Sequence, residues 1–266
     1  MIHNSLLFDI GGTKMRIAYS EDGETFEEPS VLETPQNYDE FLRLFVENIK
    51  VVRKEREIKK IVGGMSRSVF EGDYEKFKTD LEALPFGEGL DGVEVLVEND
   101  AAMAGLGEAN FGAGKGFEIV AYITVSTGVG GARIVNKKLD EKAIGFEPGK
   151  QIVDLKNNKT LEDLISGKAL ELNSGKNPKE ITDLAVWDDL AHKLAVGLNN
   201  IIVEWSPNVV VLGGSMITGN PCIPLDKTEE YLKKILKIFP SLPPIKKAEL
   251  GDFGGLWGAL AYLKHL

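Results

Sequence analysis

The chain has 266 residues, 43% of them hydrophobic and 27% charged, with a formal net charge of −10. That length suits two lobes of ordinary size better than one core. The acidic balance argues against a nucleic-acid backbone as partner, and the single cysteine, Cys222, excludes an internal disulfide or a thiolate-rich metal site. No run of residues is apolar enough for a membrane helix, and the first residues lack a signal-type pattern, so a reducing cytoplasm is the expected setting.

In chain order, residues 5–20 read as a β-hairpin. The apolar run Leu6-Leu7-Phe8 ends at Asp9, Gly11-Gly12-Thr13 makes the turn, and Met15 to Tyr19 alternates. A third strand is expected near Ser30–Glu33. Phe41, Leu42, Leu44, Phe45, Ile49 and Val52 recur at helical spacing within Tyr38–Glu57. Residues 59–64 read as a strand ending in glycine, and residues 71–92 as irregular with a helix around 74–84. Val93 to Val97 is a strand that ends in Glu98-Asn99-Asp100 before an alanine-rich helix.

The glycine-rich stretch at residues 111–116 is the expected lobe boundary. Strand, glycine-hydroxyl turn and strand then recur: Ile119–Val125, Ser126 to Gly131, and Ala132–Val135. This is a weak internal repeat. Residues 137–159 read as loop, and a helix opens at Thr160-Leu161-Glu162. A long amphipathic helix spans 184–205 and stops before Pro207. A buried strand at 208–212 ends in Gly213-Gly214-Ser215. A helix over 228–239, a strand near 247–250 and a last helix over 256–263 follow. Alternating strands and helices give an α/β fold.

The chemistry-bearing residues sit at strand ends. Glycines at Gly11 and Gly12 can take positive φ and let a phosphate approach backbone N–H groups. A carboxylate there is repelled by phosphate unless a cation intervenes, which makes Asp9 a Mg²⁺ ligand, directly or through water. The same residues read equally well as a hairpin turn with a hydrogen-bonding aspartate. Thr127, Gly128 and Gly130 form a second such turn. No P-loop and no GxGxxG follows the first strand, against P-loop and dinucleotide folds. Asp100 at a strand-to-helix junction can accept a proton from a substrate hydroxyl. Taken alone, Asn99 or Asp100 is more simply a helix cap. Glu147 and Glu162 are surface acids in isolation, and His3, His192 and His265 form no cluster.

In this order the pieces resemble the ROK family (repressor, open reading frame, kinase) within the actin/hexokinase/heat-shock ATPase fold. The matching segments are residues 7–14, Glu98-Asn99-Asp100-Ala101-Ala102, residues 127–131, Glu147-Pro148-Gly149-Lys150, Leu161-Glu162 through Ser166-Gly167, residues 209–214 and Gly255 to Ala259. They cover nearly the whole chain. The resemblance implies a two-lobed actin-like (ribonuclease H-like) ATPase fold with a central cleft. Residues 1–112 joined by 253–266 would form the smaller lobe, and 113–252 the nucleotide-binding lobe.

It implies an ATP- and Mg²⁺-dependent kinase acting on a hexose or N-acetylhexosamine, with Asp100 as general base. Asn99, Glu147, Glu162 and Lys150 would contact the sugar. Gly11, Gly12, Thr13, Lys14, Thr127, Gly128, Gly130, Gly213 and Gly214 would hold the nucleotide, and Asp9 the metal. The chain departs from the family pattern in three ways. Lys150 stands at a histidine position and the cysteine-rich loop is missing, so no structural zinc is expected. Ser66-Arg67 replaces a proline-glycine pair. No counterpart to a sugar-loop asparagine is evident near Leu84-Pro85. Lys150 is expected to pair with Glu147 or to contact an anionic or amino-sugar substituent. A homodimer is expected, and the DNA-binding repressor branch is not, because the first strand starts near residue 5. The alternative is a catalytically weak sugar- or nucleotide-binding protein with the same fold, and a third reading is an actin-fold ATPase that acts on no sugar.

Overall fold

The computed structural model describes residues 4–70, 73–83 and 92–266. The chain divides into two compact units, one of residues 1–110 with 252–266 and one of residues 111–251. Each is an α/β unit built on a mixed five-stranded sheet.

The first unit contains β1 (Ser5–Ile10), β2 (Lys14–Ser20), β3 (Ser30–Glu33), α1 (Tyr38–Arg53), β4 (Lys60–Met65), α2 (Tyr74–Ala83), β5 (Glu94–Asn99) and α3 (Asp100–Phe111). Its strand order is β3-β2-β1-β4-β5. β1 and β2 form the expected hairpin, while β4 and β5 run parallel to β1. The alternation in β1 sends Leu6, Phe8 and Ile10 to one face. There Phe8 meets Phe45 and Phe77 edge-on, with ring centroids 5.6 and 5.9 Å apart. Burial of such rings dominates core energetics. α1 starts where Asn37 accepts the Glu40 N–H at 3.0 Å. It ends at Arg53, four residues short of the expected Glu57, because Lys54 takes positive φ.

The second unit contains β6 (Ile119–Val125), β7 (Val129–Val135), β8 (Lys138–Leu139), β9 (Ile152–Asp154), β10 (Lys159–Thr160), α4 (Leu161–Ile165), α5 (Gly167–Ser174), α6 (Leu184–Trp205), β11 (Val209–Gly213), α7 (Ser215–Thr218), α8 (Leu225–Ile235) and β12 (Ile245–Lys247). α9 (Gly254–Leu263) returns to the first unit. The second large sheet has the order β8-β7-β6-β11-β12. β6 is antiparallel to β7 and parallel to β11, as β1 is to β2 and β4. The weak repeat in the sequence is therefore a repeat of topology.

Several boundaries differ from expectation. β7 begins at Val129 rather than Ala132, because its register with β6 carries through Gly130 and Gly131. α8 lies at 225–235 instead of 228–239, with Pro224 at its N-cap and Leu236 closing its last turn. β12 precedes the expected 247–250 because Ile245 to Lys247 pair with Val210 to Leu212. The 137–159 stretch holds two short strands and the start of a third, which no apolar periodicity announced. The sequence readings of 71–72 and 84–91, with Leu84 and Pro85, and of His3 lie outside the described residues. Among the described residues no helix is long and apolar enough to cross a membrane.

Candidate active site

In the first unit, parallel β1, β4 and β5 end on one edge, the edge where open α/β sheets carry ligands. Asp9, Gly64 and Glu98 lie in one row across these strands. Asp100 follows two residues after Glu98, as the first residue of α3. Its approach depends on Gly64, where a Cβ would lie 2.8 Å from the Asp100 Cα. The capping question is answered by Asn99: its Oδ1 accepts the Ala102 N–H at 3.1 Å. Asp100 Oδ1 accepts the adjacent Ala101 N–H at 2.8 Å. Asn99 also hydrogen-bonds the Tyr74 hydroxyl, which Arg67 bonds as well. That hydroxyl donates to the Met65 carbonyl at 2.8 Å. Burial raises the Tyr74 pKa, and the Asp100 charge adds to the rise while these two hydrogen bonds oppose it.

Asp9 occupies a congested position. Arg16 stands directly opposite it in the hairpin register and contacts it at 3.5 Å. Arg16 also reaches Asp252 at 3.3 Å. α9 presses its first turn against the carboxyl, for a Cβ at Gly255 would lie 2.6 Å from the Asp9 Cγ. Burial, with added repulsion from Asp100 and Asp252 that Arg16 only partly offsets, pushes the Asp9 pKa from 3.8 to about 7. Asp9 and Asp252 thus share the Arg16 guanidinium, and the Asp100 charge adds to theirs at Asp9, a concentration of negative charge that suits a hard cation. Among the described residues no three His, Cys, Asp or Glu side chains form a metal cage. Mg²⁺ commonly takes one or two protein carboxylates and completes its octahedron with phosphate and water, so this donor set fits it.

The Gly11–Thr13 turn is held by Thr34, whose hydroxyl donates to the Gly11 carbonyl at 2.8 Å and whose N–H donates to Thr13 at 2.9 Å. Gly11, Gly12, Gly128 and Gly130 do not take the positive φ expected of such turns; of the proposed nucleotide glycines only Gly214 does, at +86°. A Cβ at Gly12 would sit 3.3 Å from Ser68 Oγ and cover backbone that is otherwise open. Lys14 is exposed at the start of β2, opposite Glu33.

In the second unit, the Ser126–Gly128 turn lies beside the end of β11. Ser126 Oγ is 3.1 Å from Ser215 Oγ, and Gly167 N–H donates to the Ser126 carbonyl at 2.7 Å. A Cβ at Gly214 would lie 2.3 Å from the Val125 carbonyl, and one at Gly213 would lie 2.6 Å from the Tyr122 hydroxyl. Thr127, Gly128, Gly213 and Gly214 are thus gathered at one end of this sheet, with Gly130 two residues into β7.

Glu162 is drawn to the same turn. Its Oε2 accepts the Val129 N–H at 2.8 Å, and its Oε1 accepts from Lys150 Nζ at 2.5 Å. The ammonium bonds Glu162, and both Glu162 and Glu147 raise its pKa, Glu162 the more. Residues 148–150 form a 3-10 turn against β7, where a Cβ at Gly149 would lie 2.2 Å from the Val129 carbonyl. Glu147, at its N-cap, is exposed.

The model of the ROK family matches residues 6–265. The chain belongs to the ROK family. Among similar proteins of this family, the N-acetyl-D-glucosamine kinase of Mannheimia succiniciproducens is 27% identical over 303 residues, covering 96% of this chain and 97% of that one. The ROK hexokinase of Thermus thermophilus superposes with a TM-score of 0.79 at 25% identity over 99% of this chain and 100% of that one. The ROK glucokinase of Streptomyces griseus, solved with glucose and AMPPNP, gives 0.79 at 20% identity, again over 99% and 100%. The fold is therefore the two-sheet, actin-like ATPase fold of the ROK hexokinases.

Four residues of this ROK site carry no signal in a motif reading: Arg16, Thr34, Tyr74 and Asp252. Arg16 was within reach, because a hairpin turning at Gly12-Thr13 places residue 16 opposite residue 9.

Proposed function

We propose that the protein is an ATP-dependent sugar kinase that transfers a phosphoryl group to a hydroxyl of a hexose or N-acetylhexosamine. The observation that carries this reading is the placement of Asp100. It stands at the ligand edge of the sheet, across Gly64 from the Asp9 strand, while Asn99 does the capping. Asp100 accepts the proton of the sugar hydroxyl as its oxygen bonds to the γ-phosphorus. The bond from that phosphorus to the oxygen bridging to the β-phosphate breaks, and ADP leaves.

In this reading Asn99, Glu147, Glu162 and Lys150 contact the sugar. Gly11, Gly12, Thr13 and Lys14 in the first unit, and Thr127, Gly128, Gly130, Gly213 and Gly214 in the second, hold the nucleotide. Asp9 binds Mg²⁺, directly or through water, and the ion neutralises charge on the phosphates. The named kinases among its relatives support the class of reaction. A cytoplasmic homodimer belongs to the same proposal.

The test is ADP release with Mg-ATP across glucose, mannose, fructose, allose, N-acetylglucosamine and N-acetylmannosamine. Release that depends on one of these sugars supports the kinase and selects its substrate. A second reading, a sugar-binding protein of weak catalysis, draws on Glu162, whose two oxygens are already engaged by Val129 and Lys150. Tight sugar binding without ADP release favours that reading.

A further inference from the structure

Glu162 places a negative charge directly against the turn that the proposed function assigns to phosphate. Its Oε2 lies 2.8 Å from the Val129 nitrogen, and also 2.8 Å from where a Cβ at Gly128 would stand. A side chain at 128 would keep the carboxylate out, so glycine there lets Glu162 fix the turn by accepting one of its N–H groups. The arrangement has an electrostatic defect. A carboxylate touching a polyphosphate turn repels the ligand, and at a few ångströms in partly solvated protein that repulsion is large on the scale of binding. Lys150 lies on the other oxygen at 2.5 Å. It comes from a 3-10 turn that is itself fixed against β7, with Gly149 on the Val129 carbonyl and Pro148 filling the space above Gly131. The ammonium is thus carried by the same backbone that it serves.

We propose that Lys150 is a positioning residue for nucleotide phosphate: it neutralises Glu162, so that this carboxylate can tie down the Thr127–Val129 turn without repelling the phosphates bound there. The proposal rests on the reading of that turn as a phosphate site. It assigns Lys150 a function distinct from sugar contact, and it distinguishes charge from packing. Lys150 is itself largely exposed, so its aliphatic stem adds little packing. Its removal leaves the fold intact and the Glu162 charge uncovered.

The test is direct binding of ATP, ADP and adenosine, by calorimetry without sugar, to the wild type, Lys150→Met, Lys150→Arg and the double variant Lys150→Met/Glu162→Gln. A glutamine at 162 still offers an oxygen to the Val129 N–H but carries no charge. Lys150→Met is expected to weaken ATP about tenfold, ADP less, and adenosine not at all, with the loss shrinking at high salt. Lys150→Arg retains wild-type affinity, and the double variant recovers most of the loss. Equal ATP affinity in wild type and Lys150→Met overturns the proposal. A loss that Glu162→Gln does not repair also overturns it, since the lysine would then be touching the ligand or the fold directly. Wild-type protein that binds adenosine no more weakly than ATP removes the phosphate reading of the turn, and the role of Lys150 with it.

Discussion

The Asp9 carboxyl and the Gly255 Cα leave no room between them: a methyl group at 255 would lie 2.6 Å from the Asp9 Cγ. The first turn of α9 therefore sets where the Asp9 carboxylate points. Gly255→Ala must move either the helix or the carboxylate. Overpacking of this kind costs about 1–3 kcal/mol. The expected result is a lower thermal midpoint together with a weaker Mg²⁺ dependence of activity. The midpoint is read by calorimetry and the metal effect by titrating Mg²⁺ at fixed ATP.

Gly12→Ala separates access from stability. Gly12 is exposed, has no positive φ, and faces only the Ser68 hydroxyl at 3.3 Å. Ser68 can rotate away, so the stability change is expected to stay within about 0.5 kcal/mol, as for most surface substitutions. The methyl group nonetheless covers the turn, and the KM for ATP is expected to rise on the order of tenfold or more. An unchanged KM would remove the turn from the nucleotide site.

Asp9 gives a pH dependence with a definite sign. Its folded pKa, about 7, lies above the ordinary 3.8. Between those values the folded chain holds a proton that the unfolded chain has lost. The unfolded state thus binds fewer protons there, and stability falls as pH rises through this window. Asp9→Asn removes the effect. In metal-free protein it is expected to be nearly neutral below pH 4 and stabilising above pH 7, on the order of a few kcal/mol. Denaturant titrations at pH 4 and 8 measure this. Bound Mg²⁺ favours the ionised carboxylate, so metal-nucleotide binding near pH 6 is expected to release a proton, seen as a buffer-dependent binding enthalpy.

Much of this architecture is legible in the sequence where local pattern and burial agree. β1, β2, β6 and α6 lie where the apolar pattern puts them, because the strands are apolar runs buried on both faces and α6 buries one apolar stripe at helical spacing. The short strands β9 and β10 carry too few residues to show a period, and their pairing comes from the turn at Asp154–Lys159. β12 is placed by its partner β11 and by nothing in Ile245-Lys246-Lys247 itself. At the site, Asp9 and Asp100 stand out as acids at strand ends. Asp252 does not, since only the return of α9 brings it to Arg16. The Lys150–Glu162 pair spans a loop and two short strands, so no local spacing identifies it over Lys150–Glu147. The positive φ expected at Gly11 and Gly12 is not taken, so left-handed backbone does not account for glycine at these two positions.

The central claim is that Asp100 takes the proton during phosphoryl transfer. Asp100→Asn keeps the side-chain oxygen that accepts the Ala101 N–H, and it leaves the Asn99 cap in place, so the fold is retained. The decisive measurement is sugar-dependent ADP release by this variant, on the best sugar of the panel, beside its affinity for ATP. The account predicts a fall in kcat of roughly 10²–10⁴ with ATP affinity within about twofold of wild type. Near-normal turnover in Asp100→Asn would contradict it and leave Asp100 a residue of the helix start alone.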